Sequence, residues 1–344
     1  MKLQRHFVLE ARPPIDRLEF QRTHPRGSIA IDGYLPEEPW LDLDALQACL
    51  NHHEAVDRLA TRCTAAQATM GVRMGRFEDF FRVGIHVWMN DCDPDVAMTL
   101  WILENTARMR GALNPLFNKV LHLLDMLDTT AATYPLPIDF DLGTYHWIFA
   151  PYFEAQQRGV IERKDPREFE QIIDECHLHL EQYLVGKPGH VEVETGYDTI
   201  ALHKGWGMFR AHGNLSRMGI VAAGHFAFVL VRERPDGRYT YTLQRTSDGV
   251  RFPLLRLYAA LNEREGGGEK WGGGDTVGGS PRGGGSRQTP TEVAEVINEV
   301  LAATPTWTDE EIDRAFRAAT TRVNQQPMPG PPRTIYDLRL PPIK

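Results

Sequence analysis

The chain has 344 residues, of which 42% are hydrophobic and 24% charged, as in globular proteins large enough to bury real cores. Its formal net charge of −8 argues against a basic surface for long nucleic acids, although a short or cyclic oligonucleotide needs only a local basic pocket. The four cysteines (Cys49, Cys63, Cys92 and Cys176) form no CxxC pair, and no apolar run is long enough to span a membrane. We therefore expect a reduced, cytoplasmic protein.

The N-terminal part alternates between strands, acidic loops and helices. Residues 1–27 are predicted to be a polar arm, and residues 28–144 a first domain that begins with the apolar strand Ser28–Ile31. A second strand, 83–89, is rich in β-branched and aromatic residues and leads into the acidic segment 90–95. This alternation predicts an α/β fold, with a parallel sheet covered by helices on both faces.

The C-terminal part changes in character. Charged, amphipathic residues 145–190 predict a helical connector, and strand candidates follow within a smaller α+β domain over 191–325. A hairpin turn is indicated at residues 235–237, and residues 266–287 are dense in glycine. Residues 326–344 are predicted to be a proline-rich, extended tail.

Residue types that bind metals follow the predicted strands of the first domain. They are Asp32, His52, His53, Asp91, Asp93, Asp95, Asp125 and Asp128. Because the carboxyl ends of parallel strands meet at one edge, we expect these side chains to lie close together. Mixed carboxylate and imidazole ligands suit manganese, iron or zinc better than calcium. Each residue also has a plainer role, such as capping a helix, but their shared position favours a metal site.

The same residues resemble the motifs of the DHH phosphoesterase superfamily, named for an Asp-His-His motif. The similar run here is Asn51-His52-His53. Residues 86–98 are similar to the family's Asp-x-Asp motif, Asp128-Thr129 to its late Asp-Thr pair, and Asp32 to its single aspartate after a strand. The chain departs from the family in having Asn51 for the motif's aspartate. It also places the histidine pair before the Asp-x-Asp segment, as in a permuted sheet.

The resemblance implies a metal-dependent phosphoesterase with two Mn²⁺ ions per chain, or Mg²⁺ or another divalent ion in their place. The implied metal ligands are Asp32, His52, Asp91, Asp93, Asp95 and Asp128. The implied catalytic residues are His53, Asp32 and Arg282, with Asp32 bridging the ions and His53 contacting a phosphoryl oxygen. The implied substrate is a short oligonucleotide, a cyclic dinucleotide or another phosphoester, hydrolysed by a water that two metals activate.

The glycine-rich segment 271–286 resembles the family's substrate loop, in which glycines let backbone N–H groups approach an anion. The substrate-binding residues so implied are Gly273, Gly274, Gly278, Gly279, Ser280 and Arg282. A flexible linker is the alternative for this segment. The basic residues His203, Lys204, Arg210 and Arg217 line the same cleft or are ordinary surface charges.

Two other functions remain open at this point. One is a catalytically inactive module that keeps the fold and binds a nucleotide or a nucleic-acid end, which Asn51 and the motif order favour. The other is an interaction protein, which the helical connector and the proline-rich tail favour. A homo-oligomer and a protein partner are compatible with any of these functions.

Overall fold

The computed structural model describes residues 3–9, 14–53, 56, 60–111, 114–133, 142–213, 215–246, 250–266, 270–281 and 283–303. These residues form an α/β protein with two β-sheets, so the predicted α/β class is confirmed. None of the helices in these ranges has both the length and the apolar composition needed to cross a bilayer.

The first sheet and its helices come from the N-terminal half. Its strands are β1 (Gln4–Phe7), β2 (Ser28–Ile31), β3 (Trp40–Asp42), β4 (Gln47–Leu50) and β5 (His86–Met89). Its helices are α1 (Arg17–Thr23), α2 (Thr64–Arg73), α3 (Glu78–Val83), α4 (Pro94–Glu104), α5 (Thr106–Arg110), α6 (Pro115–Thr129), α7 (Leu142–Ile148), α8 (Ala150–Gln157) and α9 (Pro166–Leu184).

The strand order is β1-β5-β2-β4-β3, and the pairs β1–β5, β5–β2 and β2–β4 are parallel. Only β3 runs antiparallel, beside β4. Every residue of β2 and β4 is buried, which explains why both strands are short runs of mostly apolar residues rather than alternating ones. The carboxyl ends of β2, β4 and β5 therefore meet at one edge of this sheet.

The second sheet comes from the C-terminal half. Its strands are β6 (Tyr197–His203), β7 (Trp206–Ala211), β8 (Ala227–Glu233), β9 (Tyr239–Arg245), β10 (Gly272–Gly273) and β11 (Val277–Gly279). Its helices are α10 (Ser216–Ala222), α11 (Leu254–Glu265) and α12 (Pro290–Ala303). The strand order is β10-β11-β9-β8-β7-β6, in which only β7 and β8 pair in parallel. The predicted turn joins β8 to β9, with Gly237 at a φ of +76°.

Packing ties several predicted segments to the first sheet. β1, which was predicted to belong to a polar arm, pairs with β5. The helices predicted as a connector contribute Tyr145, Ile148, Phe169 and Ile173 to the same buried cluster as Val87 of β5. The domain boundaries remain predictions, but residues on either side of position 144 share one core. The predicted tail, 326–344, lies outside the described residues.

The two halves also touch each other. Leu215 and Met218 of the second half belong to the first hydrophobic core. Beyond α6, the backbone carbonyl of Ala131 accepts hydrogen bonds from Arg217 Nη1 at 3.2 Å and from Gln244 Nε2 at 3.0 Å. The end of α6 is thereby joined to α10 and β9 of the second half.

Candidate metal centre

The carboxyl edge of the first sheet carries the predicted metal-binding residues. Asp32 directly follows β2 in a left-handed conformation with a φ of 48°, which aspartate adopts more readily than most residues. His52 and His53 lie just after β4, and Asp93 lies just after β5. Asp93 also caps α4 by accepting a hydrogen bond from Val96 N, as the sequence predicts.

The buried imidazole of His52 lies at the centre of this edge. Its Nε2 atom is 3.3 Å from Asp32 Oδ1, 3.3 Å from Asp95 Oδ2 and 3.0 Å from Asp128 Oδ2. Neither ring nitrogen makes a hydrogen bond within the part of the chain that the structure describes. Two ligands about 2.1 Å from a shared ion are about 3.0 Å apart at right angles and about 3.4 Å apart in a tetrahedron. The donor set and its spacing therefore fit a divalent cation.

A second group shares residues with the first. His53 Nε2 lies 2.5 Å from Asp32 Oδ1, and the ligand atoms of Asp32, His52 and His53 all lie within 4.8 Å of one another. The ligand atoms of His52, Asp95 and Asp128 meet the same limit. Because Asp32 contacts both histidines, it has the position expected of a carboxylate shared between two neighbouring sites.

The clustered carboxylates at this edge favour a positive charge among them. Burial alone would lower the pKa of His52, but the carboxylates of Asp128, Asp32 and Asp95 raise that pKa from 6.5 to about 12. Burial and the neighbouring carboxylates raise the pKa of Asp93 well above its usual value. Positive charge at this position therefore offsets the charge of the three carboxylates. A divalent cation would supply the same compensation with more charge.

Two of the predicted carboxylates also support the start of α2. Asp95 Oδ2 and Oδ1 accept the backbone N–H groups of Thr64 and Ala65, each at 2.7 Å. Asp125 Oδ1 accepts Cys63 N at 2.8 Å, and its Oδ2 pairs with Arg62 at 2.6 Å. Asp95 thus both caps a helix and lies beside His52, whereas these contacts make Asp125 a structural residue.

Asp91 and Asn51 hold the loops of the site. Asp91 is half-buried and accepts a hydrogen bond from Cys92 N, outside the two groups around His52. Asn51 donates from Nδ2 to Glu37 O at 2.7 Å and accepts His53 N at Oδ1. An ionised aspartate has no proton to donate, so the contact with Glu37 requires the amide.

A cavity of about 800 Å³ opens above these residues, between the two halves of the molecule. Its floor includes Asp93, Asp95 and Asp128. Its sides carry three residues of α7 and α8 and three arginines of the second half: Tyr145, His146, Tyr152, Arg217, Arg232 and Arg234. The volume is that of a cleft for a molecule of nucleotide size.

Among the predicted basic residues, Arg217 lines this cavity, whereas His203, Lys204 and Arg210 are not part of its wall. Arg217 is half-buried and pairs with no carboxylate among the described residues, and burial lowers the pKa of its guanidinium. A half-buried guanidinium that faces a cavity is suited to contact an anionic group there. Arg232, Arg234 and the cavity tyrosines were missed, because only the packing of their helices and strands brings them to the site.

The glycine segment lies in the second sheet rather than in the cavity wall. Gly274 N donates to Val277 O at 2.8 Å, and Ser280 N donates to Tyr241 O at 3.0 Å. A Cβ on Gly279 would lie 2.0 Å from Tyr241 O, so glycine lets β11 approach β9. The backbone N–H groups of Gly274 and Ser280, which are predicted to bind substrate, therefore take part in sheet pairing. Gly273 and Gly278 pair with each other in the same hairpin. Arg282 lies outside the described residues.

No known protein family matches the chain. One similar protein is described as an oxidoreductase from Pestalotiopsis microspora, with 25% identity over 103 residues. The similar region covers 29% of this chain and 16% of that protein. A similarity of that extent shows no family, and it leaves the chemistry of the site open.

Proposed function

We propose that the protein is a metal-dependent phosphoesterase of the DHH type, which hydrolyses a phosphodiester of a short or cyclic oligonucleotide. The supporting observation is the buried His52 imidazole, which faces three carboxylates and makes no hydrogen bond among the described residues. A first sheet covered by helices on both faces is part of this proposal. So is a reduced, cytoplasmic setting, which the four free cysteines fit.

Two Mn²⁺ ions are the proposed cofactors, with Mg²⁺ or another divalent ion as the alternative. Asp32, His52, Asp93, Asp95 and Asp128 would hold them, with Asp91 as a further ligand. Bound there, the ions would lower the pKa of a water molecule and neutralise charge on the phosphoryl group. Asp32, which faces His52, is the proposed shared ligand, and its contact with His53 holds that side chain beside the site.

His53 is the proposed proton donor. Its side chain is 34% exposed and can be reached from outside the protein, whereas His52 is fully buried. Burial would lower the pKa of His53, but the hydrogen bond and the charge of Asp32 outweigh that effect and raise it. A histidine whose pKa is raised by a neighbouring carboxylate is suited to supply a proton to a leaving oxygen.

The cavity supports the proposed substrate class. Its arginine wall faces the carboxylate floor, and Arg217 has no carboxylate partner among the described residues. A substrate could place one phosphate over the carboxylate floor and a second anionic group near Arg217. It would then make contacts on both sides of the cavity. The size of the cavity suits a nucleotide better than pyrophosphate, in a chain too acidic for long nucleic acids.

A second candidate is a module that binds a metal and a nucleotide without hydrolysing it. Both oxygens of Asp95 already accept backbone N–H groups of α2, which favours a supporting role for this carboxylate. Metal and nucleotide binding without turnover of any phosphoester would establish this candidate in place of the enzyme.

The test is Mn²⁺-dependent hydrolysis of an aryl phosphodiester, followed by short oligonucleotides and cyclic dinucleotides, at roughly 1 mM Mn²⁺ for a labile site. Asp128→Asn should lower turnover by more than about 100-fold, because losing a ligand costs more than losing a contact that only supports one. Asp79→Asn, which changes an exposed aspartate paired with Arg82, is the matched control and should keep full activity. Full turnover in both Asp32→Asn and Asp128→Asn would contradict the proposal.

A further inference from the structure

Two phenol side chains line the cavity beside its carboxylate floor. Tyr145 of α7 is 5% exposed, and Tyr152 of α8 is half-buried. Neither hydroxyl makes a hydrogen bond to any residue that the structure describes. A hydroxyl that lines a cavity and has no partner in the protein can donate its hydrogen bond to a ligand bound there.

The electrostatics agree with the place of the two phenols in the cavity lining. Beyond burial itself, the charges of Asp128 and Asp93 contribute most to raising the pKa of Tyr145. For Tyr152, Asp93 and Asp91 do so in the same way. Both phenols line the cavity together with Asp93 and Asp128, on the wall that α7 and α8 form.

Packing fixes the more buried phenol before any ligand binds. The Tyr145 ring lies 5.0 Å from the Phe149 ring and 5.6 Å from the His146 ring, centroid to centroid. A ring held on two sides loses little freedom when its hydroxyl finds an acceptor. A neutral phenol beside carboxylates gains most by donating its proton to an anionic oxygen.

We propose that Tyr145 and Tyr152 donate hydrogen bonds to the non-bridging oxygens of a phosphoryl group bound over Asp93. This inference rests on the proposed function, and it assigns substrate recognition to two residues of α7 and α8. The group recognised is a tetrahedral oxyanion with at least two free oxygens, one for each phenol. A phosphate ester and inorganic phosphate both have this chemistry.

The experiment measures binding of inorganic phosphate to the full-length, Mn²⁺-loaded protein by isothermal titration calorimetry. Tyr145→Phe and Tyr152→Phe should each weaken phosphate binding roughly fivefold to tenfold, and the double variant more. Mn²⁺ affinity, measured separately, should stay as in the wild type. Tyr197→Phe is the matched control, because this half-buried tyrosine packs against Phe209 in the second half and should change neither affinity.

The outcomes separate this inference from the proposed function. Normal Mn²⁺ binding with unchanged phosphate affinity in the double variant overturns the role of the tyrosines and leaves the metal centre standing. Weakened Mn²⁺ binding in the Phe variants also overturns it, since the phenols would then support the metal ligands. A wild-type protein that binds no Mn²⁺ overturns both. If Tyr145→Phe does not fold, Tyr152→Phe, at the more exposed position, carries the same test alone.

Discussion

At the scale of single residues, the contacts of each carboxylate distinguish the proposed metal ligands from residues that support the fold. Asp32 and Asp128 face the Nε2 atom of His52. By contrast, the two carboxylate oxygens of Asp125 contact Cys63 N and Arg62. Asp95 does both, because it caps α2 and lies 3.3 Å from His52. Neighbouring acidic residues of one chain segment can therefore have different effects when they are changed.

Asp125→Asn should destabilise the protein without reducing the amount of metal that it binds. The amide keeps a hydrogen-bond acceptor for Cys63 N but loses the charge that pairs with Arg62. We expect the free energy of unfolding to fall by about 1–2 kcal/mol, with the amount of Mn²⁺ bound per chain unchanged. Urea denaturation and elemental analysis of the dialysed protein measure the two quantities. Loss of Mn²⁺ from a folded Asp125→Asn variant would show that Asp125 is a ligand after all.

The sequence predicts the residues that meet at the strand ends, but neither the arginines and tyrosines of the cavity wall nor the contacts of each carboxylate. Asp32, His52 and Asp93 follow strands whose apolar character is evident, and parallel strands bring their carboxyl ends together. The capping by Asp95 and Asp125 depends on how α4 and α6 approach the start of α2. That approach is a matter of tertiary packing, which no local pattern in the sequence encodes.

At the scale of secondary-structure elements, the glycine segment shows that one composition suits two kinds of structure. Glycine suits a phosphate-binding loop and a tightly paired strand for the same reason, since both require close approach of the backbone. Here β11 pairs with β9, and Tyr241 closes against Gly279 and Ser280. The amphipathic pattern of residues 145–190 is ambiguous in a similar way. It predicts an apolar helix face but does not identify the core against which that face packs.

Glu265, at the end of α11, should anchor this glycine hairpin to the second core. Its carboxylate accepts hydrogen bonds from Trp271 Nε1, Ser286 Oγ, Arg287 N and Gln288 Nε2. Burial would raise the pKa of Glu265, but these bonds outweigh it and hold the pKa below 4.5. The stabilisation is therefore complete above pH 4.5 and is lost as the pH falls through the lower, folded-state pKa.

Glu265→Gln should accordingly lower the free energy of unfolding by about 1.5–3 kcal/mol at pH 7, the range for hydrogen bonds to a charged group. The difference from the wild type should shrink as the pH is lowered below 4.5, because the wild-type carboxylate then becomes protonated. Urea denaturation at a series of pH values measures this difference. Glu263→Gln, at an exposed position of the same helix, should show neither effect. A pH-independent loss in Glu265→Gln would contradict the electrostatic account.

At the scale of the whole molecule, the site has two walls from different halves of the chain. The first half supplies the carboxylates Asp93, Asp95 and Asp128, and the second half supplies the arginines. Ala131, with a left-handed φ of 50°, presents its carbonyl to Arg217 and Gln244 only three residues beyond Asp128. A metal bound at the carboxylate edge should therefore stabilise the fold as a whole.

Mn²⁺ should raise the unfolding temperature of the wild-type protein. An ion present at 100 times its dissociation constant adds about 2.7 kcal/mol to the stability of the folded state. Asp128→Asn should lose most of this gain, while Asp79→Asn should retain it. Differential scanning calorimetry with and without Mn²⁺ gives the comparison. An equal shift in wild type and Asp128→Asn would place the binding elsewhere.

The central claim is that the edge around His52 binds divalent metal, and titration of metal-free protein with Mn²⁺ tests it most directly. The account predicts roughly two ions per chain in the wild type. It also predicts a folded His52→Gln variant in which at least one ion is lost or bound more than about 100-fold more weakly. A correctly folded wild-type protein that gives no binding with Mn²⁺, Mg²⁺ or Zn²⁺ would contradict the account, and the phosphoesterase proposal would fall with it.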